Sequence, residues 1–257
     1  MPDQPLLYLH NVSVAGRLSS VAVCCRPGEL VHIIGPNGAG KSTLLALMAG
    51  LQPGDDGETR LLGQSIAAWS ARDLARVRAY LPQHHSALAL MPVFQYLQLH
   101  QPAHCDADSV DTVVQQLAER LSLTDKLRRP LTRLSGGEWQ RVRLAAVLLQ
   151  VWPTLNPSAR LLLLDEPAAS LDIAQRVALD ALLAALCRAG VAVIASGHDL
   201  NHTLHHADRV WLMARGELMA DGAAADVMQP EALSPVFEVA FTRYALDGRH
   251  WMLAQQE

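Results

Sequence analysis

Hydrophobic positions in this chain fall into short dense runs, and their period changes along its length. Leu6–Val14, Ser20–Cys25 and Glu29–Ile34 are rich in apolar and β-branched residues and read as strands, with Arg26-Pro27-Gly28 turning the chain into the third. Ser42–Ala49 holds strong helix formers and stops at Gly50, a residue suited to end a helix. A strand is expected at Glu58–Leu62, a short helix opened by a capping box at Ser70-Ala71-Arg72-Asp73, and a strand at Val77–Leu81. Beyond Gln83 the strand signal fades. Pro92 suits a first helical position before Val93–His100, and Val110, Val113, Val114, Leu117 and Leu121 repeat as one face of an amphipathic helix. A helix follows through Arg141–Gln150. Then come the fully apolar Leu161–Leu164, a helix at Ile173–Ala189 stopped by Gly190, and a buried strand at Val191–Ala195. The tail returns to strands at Arg209–Ala214, Glu217–Ala220, Phe241–Ala245 and His250–Leu253. An α/β core with an inserted helical block fits this order.

One polar stretch interrupts the pattern with chemistry. Gly35-Pro36-Asn37-Gly38-Ala39-Gly40-Lys41-Ser42-Thr43 matches G-x-x-x-x-G-K-[ST], the phosphate-binding loop, between a strand and a helix as that motif requires. Glycines let successive backbone N–H groups point at phosphate oxygens, and the helix presents its positive end to the same anion. Lys41 adds a charge near the outer phosphates, and the Ser42 hydroxyl suits Mg²⁺. Asp165-Glu166 closes the apolar run. Alone, that pair is often a strand reaching solvent; with a phosphate loop upstream it reads as a Mg²⁺-directed carboxylate, Asp165, followed by a water-orienting one, Glu166.

Composition narrows the classes. With 257 residues, half of them hydrophobic, the chain can bury one large core. A net charge of −4 and a pI near 6.2 give no footprint for wrapping nucleic acid, and no nucleic-acid partner is expected. No apolar run approaches the roughly 18 residues that span a bilayer, and MPDQPLLYLH has no signal-peptide pattern, so membrane association is expected through a partner. Cys24, Cys25, Cys105 and Cys187 show no C-x-x-C spacing and read as reduced thiols.

Leu134-Ser135-Gly136-Gly137-Glu138-Trp139-Gln140 carries the most specific signal. Ser135 suits an ordinary helix cap, yet two glycines before a helix also make a second anion-binding corner. The ordered set GPNGAGKST, Gln83, LSGGEWQRV, LLLLDEP, Ser170-Leu171-Asp172 and His198 resembles the ATP-binding cassette (ABC) ATPases over essentially the whole chain. That resemblance implies a P-loop NTPase core of mainly parallel sheet with an N-terminal antiparallel β region and an inserted helical lobe. The core takes residues 1–83 and 151–257, the lobe 84–150.

The resemblance also implies roles. ATP lies on Gly35–Thr43 with Mg²⁺ held through Ser42, Gln83 and Asp165. Catalysis falls to Glu166, His198 as the switch histidine, and Gln83. In a head-to-tail homodimer, Ser135, Gly136, Gly137 and Glu138 clamp the ATP of the other copy, and Asp172 faces the other copy's site. Transmembrane permease subunits dock on the lobe at the cytoplasmic face of the inner membrane, and a periplasmic substrate-binding protein completes the system. The finer likeness is to ATPase subunits of bacterial vitamin B12 (cobalamin) importers, with an iron-chelate importer as the alternative and a non-transport ABC ATPase behind it.

Two positions depart from the family pattern. Asn11–Arg17 lacks the aromatic that usually stacks on adenine, so phosphate recognition supplies most of the grip, and Gly197 stands where Ser often precedes the switch histidine. Tyr8 sits inside a strand and suits packing. A rival pattern, His198-Asp199-Leu200-Asn201-His202 with His205 and His206 behind it, has zinc-protease spacing but Asp in place of the base Glu, and reads better as a polar helix face. His84 and His85 read as exposed loop residues.

Overall fold

The computed structural model describes residues 5–83, 90–103 and 105–255; His84 and His85 lie outside them. The chain opens with β1 (Leu7–Val14) and β2 (Leu18–Cys25), then β3 (Leu30–Ile34), whose five residues are all buried. Helix α1 (Lys41–Met48) follows, ending against Gly50 at φ +69°. Next come β4 (Asp56–Leu61), β5 (Gln64–Ser65), α2 (Ala71–Val77) and β6 (Arg78–Leu81). The helical block holds α3 (Val93–Gln98), α4 (Ala107–Arg120) and α5 (Gly136–Gln150). It returns to β7 (Leu161–Leu164), α6 (Ile173–Arg188), β8 (Ala192–Ser196) and α7 (Leu200–His206). The tail is β9 (Arg209–Ala214), β10 (Glu217–Ala223), α8 (Ala224–Val227), α9 (Pro230–Phe237), β11 (Phe241–Leu246) and β12 (Arg249–Ala254).

Six strands form the central sheet in the order β10-β9-β3-β8-β7-β6. Neighbours from β9 to β6 pair in parallel, and β10 is antiparallel at the edge. A second sheet, β2-β1-β4-β5, is antiparallel. Apolar side chains of β1, β2 and α1 fill the space between this sheet and one face of the central one. Leu44, Leu45 and Met48 are wholly buried there, each such side chain contributing about 1.5–3 kcal/mol of burial energy. The other face carries α5 and α6 in a cluster that runs on into the helices around Val110 and Leu117. Helix α5 makes that continuity: Leu144, Ala145, Leu148 and Leu149 are buried with Leu162 and Leu164 of β7.

Several sequence expectations shift. Val77 closes α2 instead of opening the strand, and α3 stops at Gln98 rather than His100. Pro92 is the N-cap of α3, extended at ψ 158°, not its first helical residue. Ser70 caps α2 by accepting from Asp73 N–H at 3.1 Å, but no reciprocal box forms: Ser70 Oγ donates to Asp73 Oδ2 at 2.7 Å. Asp is a methylene shorter than the Glu or Gln that reaches back to the cap backbone. Helices α8 and α9 were not anticipated in a tail read as strands, because neither has the length over which a helical period shows.

Candidate nucleotide site

Strands β3, β8, β7 and β6 are consecutive in the sheet and parallel, so their C-terminal ends share one edge. From that edge leave Gly35–Gly40, Gly197-His198, Asp165-Glu166 and Pro82-Gln83. Ligands of open parallel sheets gather there.

The loop after β3 cannot carry side chains where it turns hardest. A Cβ on Gly35 would stand 2.0 Å from the Met213 carbonyl oxygen. Gly38 and Gly40 sit at φ +80° and +98°, and Gly40 caps α1 without a side-chain bond. Helix α1 has no acidic residue in its first turn, so its N-terminal N–H groups stay open to an anion. Lys41 is 6% exposed, its Nζ donating to Gly35 O at 2.7 Å and Pro36 O at 3.0 Å. Burial draws the Lys41 ammonium below its ordinary pKa, opposed by the Glu166 and Asp165 carboxylates. Asn37, Gly38 and Ser42 are exposed; Ala39 is buried and Thr43 partly so.

Beside the loop, Asp165 is 2% exposed and accepts from Ser196 Oγ at 2.6 Å. Glu166 N–H donates to the same oxygen at 2.9 Å. Glu166 adopts φ +49°, a left-handed conformation uncommon for a residue with a side chain, which swings the carboxylate away from the strand line. Its Oε1 meets His198 Nε2 at 2.5 Å. Burial pushes the Glu166 carboxyl up, but hydrogen bonds from His198 and Gln83 and the nearby positive charge outweigh it, leaving it below the usual range. Glu166 is therefore ionised near neutral pH and able to accept from water. Ser42, Gln83 and Asp165 offer only oxygen ligands, a donor set that fits a hard cation such as Mg²⁺.

The remaining expected residues stand at two helix starts. Ser135 caps α5 in a full box: Glu138 N–H donates to Ser135 Oγ at 3.2 Å, and Ser135 N–H donates to Glu138 Oε2 at 2.8 Å. A hydroxyl that accepts from a backbone amide still has its own proton to donate. Lys126 Nζ lies 3.5 Å from Glu138 Oε1. A Cβ on Gly137 would approach Ser170 O at 3.0 Å, and Gln140 Nε2 donates to Pro167 O at 3.2 Å, so α5 starts against the segment after Glu166. Gly136 has open space around it. Asp172 caps α6 in a second box with Gln175.

Two residues of this site went unread in the sequence. Ser196 holds Asp165 and Glu166 together, and its only signal was a hydroxyl ending an apolar strand. Arg143, 5% exposed within α5, donates to Gln140 Oε1 at 3.0 Å, to Gln83 O at 3.3 Å and to Pro82 O. A lone cation in the apolar run Val142–Leu149 was its signal. The zinc-protease pattern does not form. His198 precedes α7 and turns to Glu166, whereas His202 is helical and bonds Asp180 Oδ1 at 2.9 Å, so helical spacing never brings the two rings together. Tyr8 is 39% exposed and its hydroxyl lies 3.3 Å from His10 Nδ1 on the strand surface. The four cysteines are free. No helix of the described residues is long and apolar enough to cross a membrane.

Comparisons with known proteins agree on the family. The profile described as ABC transporter matches residues 18–169. A Pectobacterium atrosepticum protein named vitamin B12 import ATP-binding protein BtuD is 62% identical, covering 97% of this chain and 99% of its own length. Its namesakes from Yersinia pestis and Escherichia coli O157:H7 are 56% and 47% identical, covering 96% and 97% of this chain and 97% and 98% of theirs. Among solved structures, an ATP-binding subunit of an ABC transporter superposes with a TM-score of 0.80 at 23% identity, covering 91% of this chain and 98% of its own. A putative metal-chelate type ABC transporter in an inward-facing conformation gives 0.76 at 21% identity, covering 99% of each. The chain belongs to the ATP-binding subunits of ABC transporters, ATPases whose hydrolysis is coupled to transport.

Proposed function

We propose that this chain is the ATP-hydrolysing subunit of a vitamin B12 importer. The observation that carries the substrate is the 62% identity to a vitamin B12 import ATP-binding protein along nearly the full length of both chains. Residues 84–150 act as the lobe that receives a transmembrane permease, and residues 1–83 and 151–257 as the core. The chain works as a homodimer at the cytoplasmic face of the inner membrane, with a periplasmic substrate-binding protein delivering the vitamin.

In the hydrolytic step Gly35–Thr43 wraps the phosphates with backbone N–H groups, and Lys41 leaves its carbonyl partners to meet the outer phosphates. Mg²⁺ held by Ser42, Gln83 and Asp165 supplies neutralisation of phosphate charge when bound. Glu166 orients the attacking water and takes its proton, while His198 fixes the Glu166 carboxylate and donates towards the γ-phosphate. Gln83, tied by its carbonyl to Arg143, links this chemistry to the lobe through α5. Ser135 and Gly137 of a second copy close the site by donating to the γ-phosphate, with Gly136 and Glu138 shaping that corner and Asp172 facing the opposite copy.

Uptake of labelled vitamin B12 by a strain lacking the endogenous subunit tests the reading, with the permease present and iron chelates as competitors. Restored uptake that chelates do not compete supports it. Restored chelate uptake without vitamin uptake overturns the substrate in favour of the iron-chelate reading.

A further inference from the structure

Behind the switch histidine lies a cluster that hydrolysis does not use. Asp180 projects from α6 toward two histidines one turn apart on α7, His202 and His206. His202 Nε2 stands 2.9 Å from Asp180 Oδ1, and His206 Nε2 stands 3.9 Å from Asp180 Oδ2. The rings of His202 and His206 stack with centroids 4.5 Å apart, and one ligand atom from each of the three residues lies within 4.8 Å of the others. A cavity of about 210 Å³ opens beside the group, lined by His202 and Asp180 on one side and by Glu166 and His198 on the other.

We propose that Asp180, His202 and His206 form a binding site for one divalent transition-metal ion of the zinc class. Zinc holds nitrogen and carboxylate ligands at about 2.0–2.2 Å, which sets tetrahedral ligand atoms about 3.3–3.6 Å apart. The two separations, one to each oxygen of Asp180, lie on either side of that distance, and with one ligand atom of each residue within 4.8 Å of the others small side-chain rotations make the site. Two imidazoles and a carboxylate suit Zn²⁺, Co²⁺ or Ni²⁺ and not the all-oxygen preference of Mg²⁺ or Ca²⁺. His206 is 44% exposed at its side chain, which leaves an entry path and room for a water as fourth ligand. His32, 5% exposed, stacks behind His202 with centroids 5.6 Å apart and fixes the plane of that ring. An ion held here clamps α7 to α6 one turn after His198, and so braces the segment that carries the switch histidine.

Titration of the full-length, metal-free chain with Zn²⁺ followed calorimetrically, and with Co²⁺ followed by its visible absorption, tests the site. One saturable ion per chain is expected, with tetrahedral-intensity cobalt bands. Affinity falls at least ~10-fold in His206→Gln and in Asp180→Asn but not in His205→Ala, a half-buried neighbour on the same helix whose ring turns to His250 O instead. Zn²⁺ also raises the melting temperature of the wild type and not of those two variants, provided each has native circular dichroism. Absence of saturable binding overturns the proposal. So does an affinity that His206→Gln and Asp180→Asn leave unchanged, or one that His205→Ala removes equally.

Discussion

The chain carries two polar corners at helix starts, and they are built in opposite ways. The corner at Gly35–Thr43 is sunk among the ends of four adjacent parallel strands, with Lys41 and Asp165 almost fully buried and Ser196, Glu166 and His198 already bonded. The corner at Ser135–Glu138 is a helix start on the surface, satisfied by its own capping box, with open space around Gly136. The first is preorganised; the second is poised. On the proposed function, a rigid half in one chain and a polar half supplied by a second copy make hydrolysis conditional on assembly, which suits an ATPase that must not run uncoupled.

Changes at the two corners should separate binding from turnover. Glu166→Gln has the largest expected effect: hydrolysis falls at least ~100-fold while ATP binding persists, since the phosphate loop and Lys41 are untouched but the neutral amide no longer activates the water. Phosphate release alongside equilibrium nucleotide binding reads both. Ser135→Arg comes next. It should lower hydrolysis by on the order of 100-fold, as loss of a transition-state donor does, and leave ATP binding to the isolated chain intact; weakened binding by the single chain would tell against a surface half-site. Gly35→Ala strikes the rigid corner itself. Its Cβ meets Met213 O at 2.0 Å, so a loss of about 1–3 kcal/mol in urea unfolding is expected, with phosphate binding weakened as the loop shifts.

The smaller effects sharpen the contrast. Asp172→Ala removes the cap and box of α6 and should cost about 1 kcal/mol of stability. His198→Ala takes away one of the hydrogen bonds that hold the Glu166 carboxyl down, leaving the Gln83 bond and the Lys41 charge alone against burial. Carbon-detected titration should find the Glu166 pKa higher in the variant than in the wild type. Equivalently, the carboxylate of the wild type stays charged to lower pH.

Much of the rigid corner was legible in the sequence because it is local: strand, glycine loop, lysine and helix are contiguous, and Leu161–Asp165 announces a buried strand ending in a carboxylate. The meeting of β3, β8, β7 and β6 at one edge was not, because sheet order skips along the chain and no periodicity encodes it. Ser196 and Arg143 were missed for the same reason, since each acts across more than 25 residues of sequence. The histidines teach the reverse lesson. His198 and His202 have helical spacing on paper, but Asp199 caps α7 between them and sends the two rings to different carboxylates.

The central claim is that Lys41 and Ser135 serve one site from two different copies. Two inactive variants, Lys41→Ala and Ser135→Arg, can be mixed in equal amounts with the permease present, and ATP hydrolysis compared with that of each alone. Mixed pairs then contain one site with an intact phosphate loop from the Ser135→Arg copy and an intact signature from the Lys41→Ala copy. Recovery towards roughly a quarter of wild-type hydrolysis is predicted, half the pairs being mixed with one of two sites whole. If the site were complete within a single chain, every chain in the mixture would be broken, and hydrolysis no greater than that of the separate variants would contradict the account.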